Sequence, residues 1–297
     1  MFFLTKYIIL TPLKNLFNCN LTNFNHFLTP FISPRNTYIC GMNLNFYKYH
    51  GTGNDFIMVD NRAEIFPKEN IEVISNLCNR HFGIGADGII LIENDTKFDF
   101  KMIYFNADGS ETFCGNGGRC AVAFAKHLNI IKNSTNFTAV DGPHFAELKK
   151  EIISLKMIDV TDILVKENSV FTNTGTQHHV ELVEDLNNYS VYENGKKIRE
   201  SYDEPGSNVN FVEQVNNTTF RVRTYEKGVE NETLACGTGV TAVAIAMHKT
   251  KKTTGNLITL HVEGGSLEVS FTEDTGMYKD VFLKGPATFV FKGEIQI

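Results

Sequence analysis

No run within the 297 residues holds the roughly 20 consecutive apolar side chains that a membrane helix requires. Basic charge is not in excess either: the formal net charge is −6, whereas phosphate binding is normally met by a basic patch, which argues against a nucleic-acid partner. Neither a dinucleotide fingerprint nor a P-loop occurs, no lysine is marked out for pyridoxal, and no cofactor is expected. Cysteine is scarce. The 6 thiols (Cys19, Cys40, Cys78, Cys114, Cys120 and Cys236) are irregularly spaced, unlike a disulfide framework, so reduced thiols in a cytoplasmic protein are expected. Cys114-x5-Cys120 does not match a common zinc spacing and has no second ligand pair beside it, so no metal is expected.

What remains is a composition able to bury substantial cores, 42% hydrophobic and 21% charged, in a chain long enough for about two domains. The first 41 residues stand apart, with Lys6, Lys14 and Arg35 and no acidic residue. They show no signal-peptidase site and too little Ser and Arg for a transit peptide, so a dispensable, disordered extension or an upstream mis-start is expected there. From Met42 onward strands dominate. A helix is expected over 67–81, another running through about Leu128, a polar loop at GTQHH (175–179), and a helix-like DLNNYSVYENG (185–195). The pattern is α+β rather than a parallel βαβ alternation.

An internal repeat carries most of the information. ETFCGNGGRCAVAFA (111–125) and ETLACGTGVTAVAIA (232–246) each join a cysteine, a glycine loop and an all-apolar helix. Tyr104 and Tyr225 lie 121 residues apart, as do Glu111 and Glu232, whereas Cys114 and Cys236 lie 122 apart. Duplication with pseudo-twofold symmetry would set the two loops face to face at a domain junction, where ligand sites commonly form. A helix N-terminus offers free N–H groups to an anion and should draw a thiol's pKa toward neutrality. A thiolate and a thiol on opposite sides of one bound anion suit inversion at a carbon beside a carboxylate, one removing a proton while the other delivers one.

The ordered motifs FYKYHGTGNDFIMVD, NRHFGIGADGIILIE, YFNADGSETFCGNGGRCA, SNVNF, TYEKGVENETLACGTGV and GGSLEV resemble diaminopimelate epimerases from about Met42 to Ile297. The resemblance implies cofactor-free interconversion of LL- and meso-diaminopimelate, on the route to lysine and peptidoglycan. It implies two α+β domains, 42–158 with 286–297 and 159–285, each wrapping sheet around a central apolar helix, with the site in the cleft between them. Cys114 and Cys236 match the acid/base cysteines, His178 a supporting histidine, and Glu226 a glutamate near the substrate amine. Gly115, Asn116, Gly237 and Thr238 match the carboxylate-binding loops, and Asn54, Asn106 and Asn208 match substrate-binding asparagines. The small-molecule substrate is the expected partner, with a homodimer allowed.

Three positions depart from the family pattern: Lys227 replaces an Arg, Thr176 replaces the Asn of Asn-Pro-His, and Gly88 stands where some members have a binding Gln. Lys227 and Thr176 therefore keep a two-thiol proline or hydroxyproline racemase in view as an alternative. A cysteine hydrolase with Cys114 as nucleophile and His178 as base leaves Cys236 without a role. A binding module with inert thiols is the remaining reading.

Overall fold

The computed structural model describes residues 41–203 and 206–297. The expectation for the N-terminal extension falls on residues outside that set. In chain order the elements are β1 (Asn43–Gly51), β2 (Asn54–Asp60), α1 (Ile71–Cys78), β3 (Gly88–Glu93), β4 (Phe100–Asn106), α2 (Gly115–His127), β5 (Ser134–Ala139), β6 (Gly142–Lys149) and β7 (Ile152–Lys156). The second half supplies β8 (Ile163–Val165), β9 (Ser169–Asn173), β10 (Gln177–Leu182), α3 (Val191–Glu200), β11 (Asn208–Gln214), β12 (Thr219–Glu226), β13 (Asn231–Thr233), α4 (Gly237–Lys249), β14 (Leu257–Val262), β15 (Gly265–Asp274) and β16 (Met277–Pro286). The last strand, β17 (Thr288–Gln296), returns to pair with β1.

Strand pairing makes the duplication explicit. From β1 to β7 successive pairs run antiparallel, parallel, antiparallel, parallel, antiparallel, antiparallel. From β9 through β10, β11, β12, β14 and β15 to β16 the same order of senses recurs. The two series join where β7 pairs antiparallel with β16. At the far ends β17 flanks β1 as β8 flanks β9. Within each half the strands surround one helix: α2 packs on β1, β2, β3, β4, β6 and β7, and α4 on β9, β10, β11, β12, β14 and β15. Both helices are buried along most of their length because AVAFA and AVAIA present apolar side chains on every face. Their last turns are basic. His127 and His248 stand there, each with Nδ1 on a tyrosine hydroxyl, Tyr49 at 2.7 Å and Tyr278 at 2.9 Å. Basic side chains at helix C-termini also complement the dipole.

Register corrects one detail of the sequence repeat. Ile89 pairs with Phe105 as Val209 pairs with Tyr225, which aligns Phe105 with Tyr225, Tyr104 with Thr224 and Asn106 with Glu226. Phe105 also bridges Glu111 where Tyr225 pairs with Glu232. Tyr104 and Tyr225 therefore lie on opposite faces of their sheets, Tyr104 in the core around α2 and Tyr225 in the small cluster beneath α3. Side-chain alternation makes this unavoidable once the spacing changes by one.

The other differences are local. The first helix begins at Ile71 rather than at Pro67, with Asn70 accepting from the Val73 N–H. The helix expected over 185–195 lies at Val191–Glu200, after a short 3-10 turn that starts from Asp185 at φ 50°. It tolerates Gly195 in its middle because any Cβ there would lie 2.4 Å from Tyr225 Cβ. The supposed polar loop at 175–179 is partly strand: β10 begins at Gln177, and His178 and His179 within it are buried.

Candidate active site

Cys114 and Cys236 are the N-cap residues of α2 and α4, with extended backbones (φ −130°, ψ 126° and φ −115°, ψ 112°) that turn each thiol off its helix axis. The next residue in each case is glycine, and here its missing side chain is essential. A Cβ on Gly237 would stand 3.6 Å from Gly115 Cα and 3.0 Å from Leu283 Cδ2. The two helix N-termini therefore meet, with their free N–H groups and positive dipole ends together. Asn116 ties one loop to the other, its Nδ2 donating to Ala235 O at 2.9 Å and to Asn54 Oδ1 at 3.2 Å.

On the first-half side, Cys114 Sγ donates to Asn54 Oδ1 at 3.4 Å, and Asn54 Nδ2 donates to Asp87 at 2.6 Å. Asp87 and Asp55 share Arg80, and Lys48 also pairs with Asp55 at 2.7 Å. Burial alone would raise the Asp55 pKa, but hydrogen bonds from Arg80 and Lys48 hold it down at about 2. Asn106 accepts from the Tyr104 hydroxyl at 2.8 Å and donates to Ser110 Oγ and Thr112 Oγ1.

On the second-half side a directed chain of hydrogen bonds leads to Cys236. Asn210 Nδ2 donates to His178 Nδ1 at 3.1 Å, so the neutral imidazole carries its proton on Nε2 and donates to Thr176 Oγ1 at 2.9 Å. Asn208 Nδ2 also donates to Thr176, at 3.2 Å. With its lone pairs occupied, Thr176 passes its own proton to Thr238 Oγ1 at 3.2 Å, and Thr238 is left to donate to Cys236 Sγ at 3.5 Å. Asn208 Oδ1 accepts the backbone N–H of Lys227 at 2.8 Å, and Glu226 accepts from Thr233 Oγ1 at 2.9 Å. A negative charge on Glu226 pushes both thiol pKa values upward.

Electrostatics reverse one expectation. Burial pushes Cys114 up to about 11 against the pull of the Gly117 N–H, and it pushes Cys236 up as well. With the loops closed on each other, desolvation outweighs the helix N-termini, and both thiols rest protonated. Burial holds His178 down at about 3 and raises Glu226 above the usual carboxylate range.

Asn54 and Asn116 thus stand beside Cys114, and Thr238, Thr176, His178 and Asn208 are linked in turn to Cys236. Two of the three departures, Thr176 and Gly88, have structural explanations, and nothing in the structure explains Lys227. Thr176 carries the chain from His178 to Thr238, a task a hydroxyl performs because it both accepts and donates. Lys227 is anchored through its backbone N–H. Gly88 has no room for a side chain: a Cβ would meet Tyr104 Cε2 at 2.5 Å. The Tyr104 ring fills that space, edge-on to Phe56 at 5.5 Å, and holds Asn106 with its hydroxyl. Tyr104→Phe is therefore expected to raise KM about tenfold through loss of one buried hydrogen bond while leaving kcat within about twofold. Steady-state kinetics with the substrate that the family resemblance implies check it, and an unchanged KM would remove Tyr104 from the binding apparatus.

Sequence reading assigned no site role to Tyr104, Asn210 or Arg119. Of these only Arg119 carried a visible signal, a charged residue opening an otherwise apolar helix. Among the described residues no group of three or more His, Cys, Asp or Glu side chains is placed to hold a metal ion.

Two cysteines at facing helix N-caps of a duplicated domain define the class of two-thiol racemases and epimerases, and solved structures share the fold. A phenazine-biosynthesis family protein from Bacillus anthracis superposes with TM-score 0.70 at 14% identity, covering 86% of this chain and 100% of that one. A hydroxyproline epimerase from Agrobacterium vitis gives 0.60 at 14%, covering 86% and 93%. The diaminopimelate epimerase family model matches residues 46–157 and 170–290. Relatives named diaminopimelate epimerase include one from Flavobacterium psychrophilum, 57% identical over 256 residues (85% of this chain, 100% of that one). Another, from Aquifex aeolicus, is 39% identical over 281 residues (85% and 98%). The chain belongs to the diaminopimelate epimerase family.

Proposed function

We propose that this protein interconverts LL- and meso-diaminopimelate by proton transfer between two cysteines. The observation that carries the reading is the apposition of Cys114 and Cys236 at helix N-termini that meet through Gly115 and Gly237. A substrate α-carboxylate accepts N–H groups from both glycine loops, Gly115–Asn116 and Gly237–Thr238. Glu226 faces the α-ammonium. One thiolate takes the α-proton as the C–H bond breaks, and the thiol opposite forms the new C–H bond on the other face. One sulfur gains a proton and the other loses one, so the two exchange roles with each turnover. Because burial favours neutral thiols, the ammonium and the converging N–H groups supply the charge that stabilises a thiolate.

Asn54, Asn106, Thr176, Asn208 and Lys227 line the strand ends beyond this centre and are proposed to recognise the rest of the substrate. Identity to the curated relatives along their whole length favours diaminopimelate over a proline-type substrate, since the racemase likeness is one of fold at 14% identity. A hydrolase reading is disfavoured by His178, whose ring nitrogens are engaged with Asn210 and Thr176 rather than with Cys114. We further propose domains at 42–158 with 286–297 and at 159–285, the pairing of β17 with β1 supporting the split first unit. A cytoplasmic setting and a homodimer complete the reading. No helix among the described residues is long and apolar enough to cross a membrane.

The test is isotopic. In heavy water, LL-diaminopimelate incubated with the protein should acquire solvent deuterium at an α-carbon while meso product accumulates. An α-carbon that stays fully protonated overturns the proposal.

A further inference from the structure

Arg119 is the anomaly of the site. It lies in the second turn of α2, 0% exposed, and among the described residues its guanidinium meets only neutral oxygens. These are Asn116 Oδ1 at 2.9 Å, Thr52 Oγ1 at 3.3 Å, Gly115 O at 3.4 Å and Pro286 O at 3.5 Å. A buried cation without an anion is costly, and hydrogen bonds to neutral groups recover only part of that cost. The duplicated half shows that the hydrogen bonds alone do not call for a charge. Thr241 occupies the equivalent position in α4, and its hydroxyl donates to Gly237 O at 2.9 Å, as Arg119 Nη1 donates to Gly115 O. A neutral hydroxyl suffices there. The asymmetry is confined to the cysteine loop that begins α2.

The anion missing from this balance arises during the reaction. Resting on the epimerase reading above, we propose that Arg119 is the built-in counter-charge of the first cysteine loop. It favours the thiolate of Cys114 and, through Asn116, fixes that loop where the substrate carboxylate is received; Cys236 has no such support. The bond to Asn116 Oδ1 turns the Asn116 amide so that its Nδ2 reaches Ala235 O and Asn54 Oδ1 across the junction. Arg119 touches no substrate and is a positioning residue. The backbone N–H groups of Gly117 and Asn116 also favour the Cys114 thiolate, whereas the other titratable side chains that act on it disfavour its negative charge: Glu226 from β12, Cys236 from α4, Tyr104 from β4 and Cys120 from α2 itself. Arg119 is the one cation among them.

Iodoacetamide alkylation followed by peptide mass analysis reports each cysteine separately as pH is raised, and it needs no substrate. Failure here is therefore distinguishable from failure of the epimerase reading. In the unaltered protein Cys114 should show a lower midpoint than Cys236. Arg119→Met should raise the Cys114 midpoint by about one pH unit or more without raising that of Cys236, and Arg119→Lys should restore at least half of the shift. Circular dichroism and the melting temperature establish that the variants are folded. If Arg119→Met does not fold, the order of the two midpoints in the unaltered protein, together with Arg119→Lys, decides. The proposal is overturned if Cys236 ionises first, if both midpoints rise together, or if Arg119→Lys behaves as Arg119→Met does.

Discussion

Replacing either Cys114 or Cys236 by alanine is expected to slow epimerisation by at least about a thousandfold. A positioned acid or base commonly contributes about 10²–10⁴ in rate, and in the proposed site each thiol serves one face of the substrate. Water does not replace it well, because the loops close on each other and Cys236 is only 6% exposed. The Cys114→Ala/Cys236→Ala double variant should be little slower than the worse single variant, since the two sulfurs act as one unit. The rate of conversion of LL to meso substrate, followed by chiral chromatography, checks this, with melting temperatures as a folding control. A single variant retaining a tenth or more of the rate would mean that one group serves both faces.

Acid lability centred on His178 is the second large effect. His178 is 0% exposed and burial lowers its pKa to about 3, whereas an unfolded histidine titrates near 6.5. The unfolded chain therefore takes up the proton first as pH falls. The stabilising contribution is complete above about pH 6.5 and declines at about 1.4 kcal/mol per unit toward the folded-state value. Between pH 6.5 and 4.5 that amounts to roughly 2–3 kcal/mol from this one group. His179, whose pKa burial also lowers against the pull of Glu181, adds in the same direction. Asp55 acts in a separate window, its stabilisation being lost as pH falls from the ordinary carboxylate value toward about 2. His178→Gln keeps groups able to meet Asn210 and Thr176 but takes up no proton. Urea unfolding at the two pH values should show a smaller difference for this variant by about that amount. Equal pH dependence in both proteins would place the acid sensitivity elsewhere.

Much of the site was readable in the chain because its chemistry lies in contiguous segments. A cysteine, a glycine pair and an all-apolar helix define a buried helix whose N-terminus holds a thiol, and finding that unit twice pointed to a facing pair. The motif matches placed Asn54, Asn106, Asn208, Glu226 and His178 in the same neighbourhood. Their partners were less accessible to sequence reading. Nothing in a linear reading links Asn210 to His178 or Tyr104 to Gly88, since these pairs meet only through strand register. The repeat itself suggested Tyr104 and Tyr225 as equivalents, and a one-residue slip before the cysteines made them opposites.

By itself the sequence determined the duplication, the two buried helices, the paired thiols and the kind of reaction, because those depend on local patterns of glycine, cysteine and apolar residues. Tertiary structure alone decided three further things. His178 lies on a strand rather than a loop, because Asn210 and Thr176 satisfy its polar atoms in the interior. The thiols rest protonated, because desolvation grows when two domains bring their loops together, a cost that no single segment carries. The two halves differ in charge, with Arg119 buried behind one cysteine and Thr241 behind the other. Equivalence by duplication is written along the chain; the inequivalence of the two thiols arises from what each one is packed against.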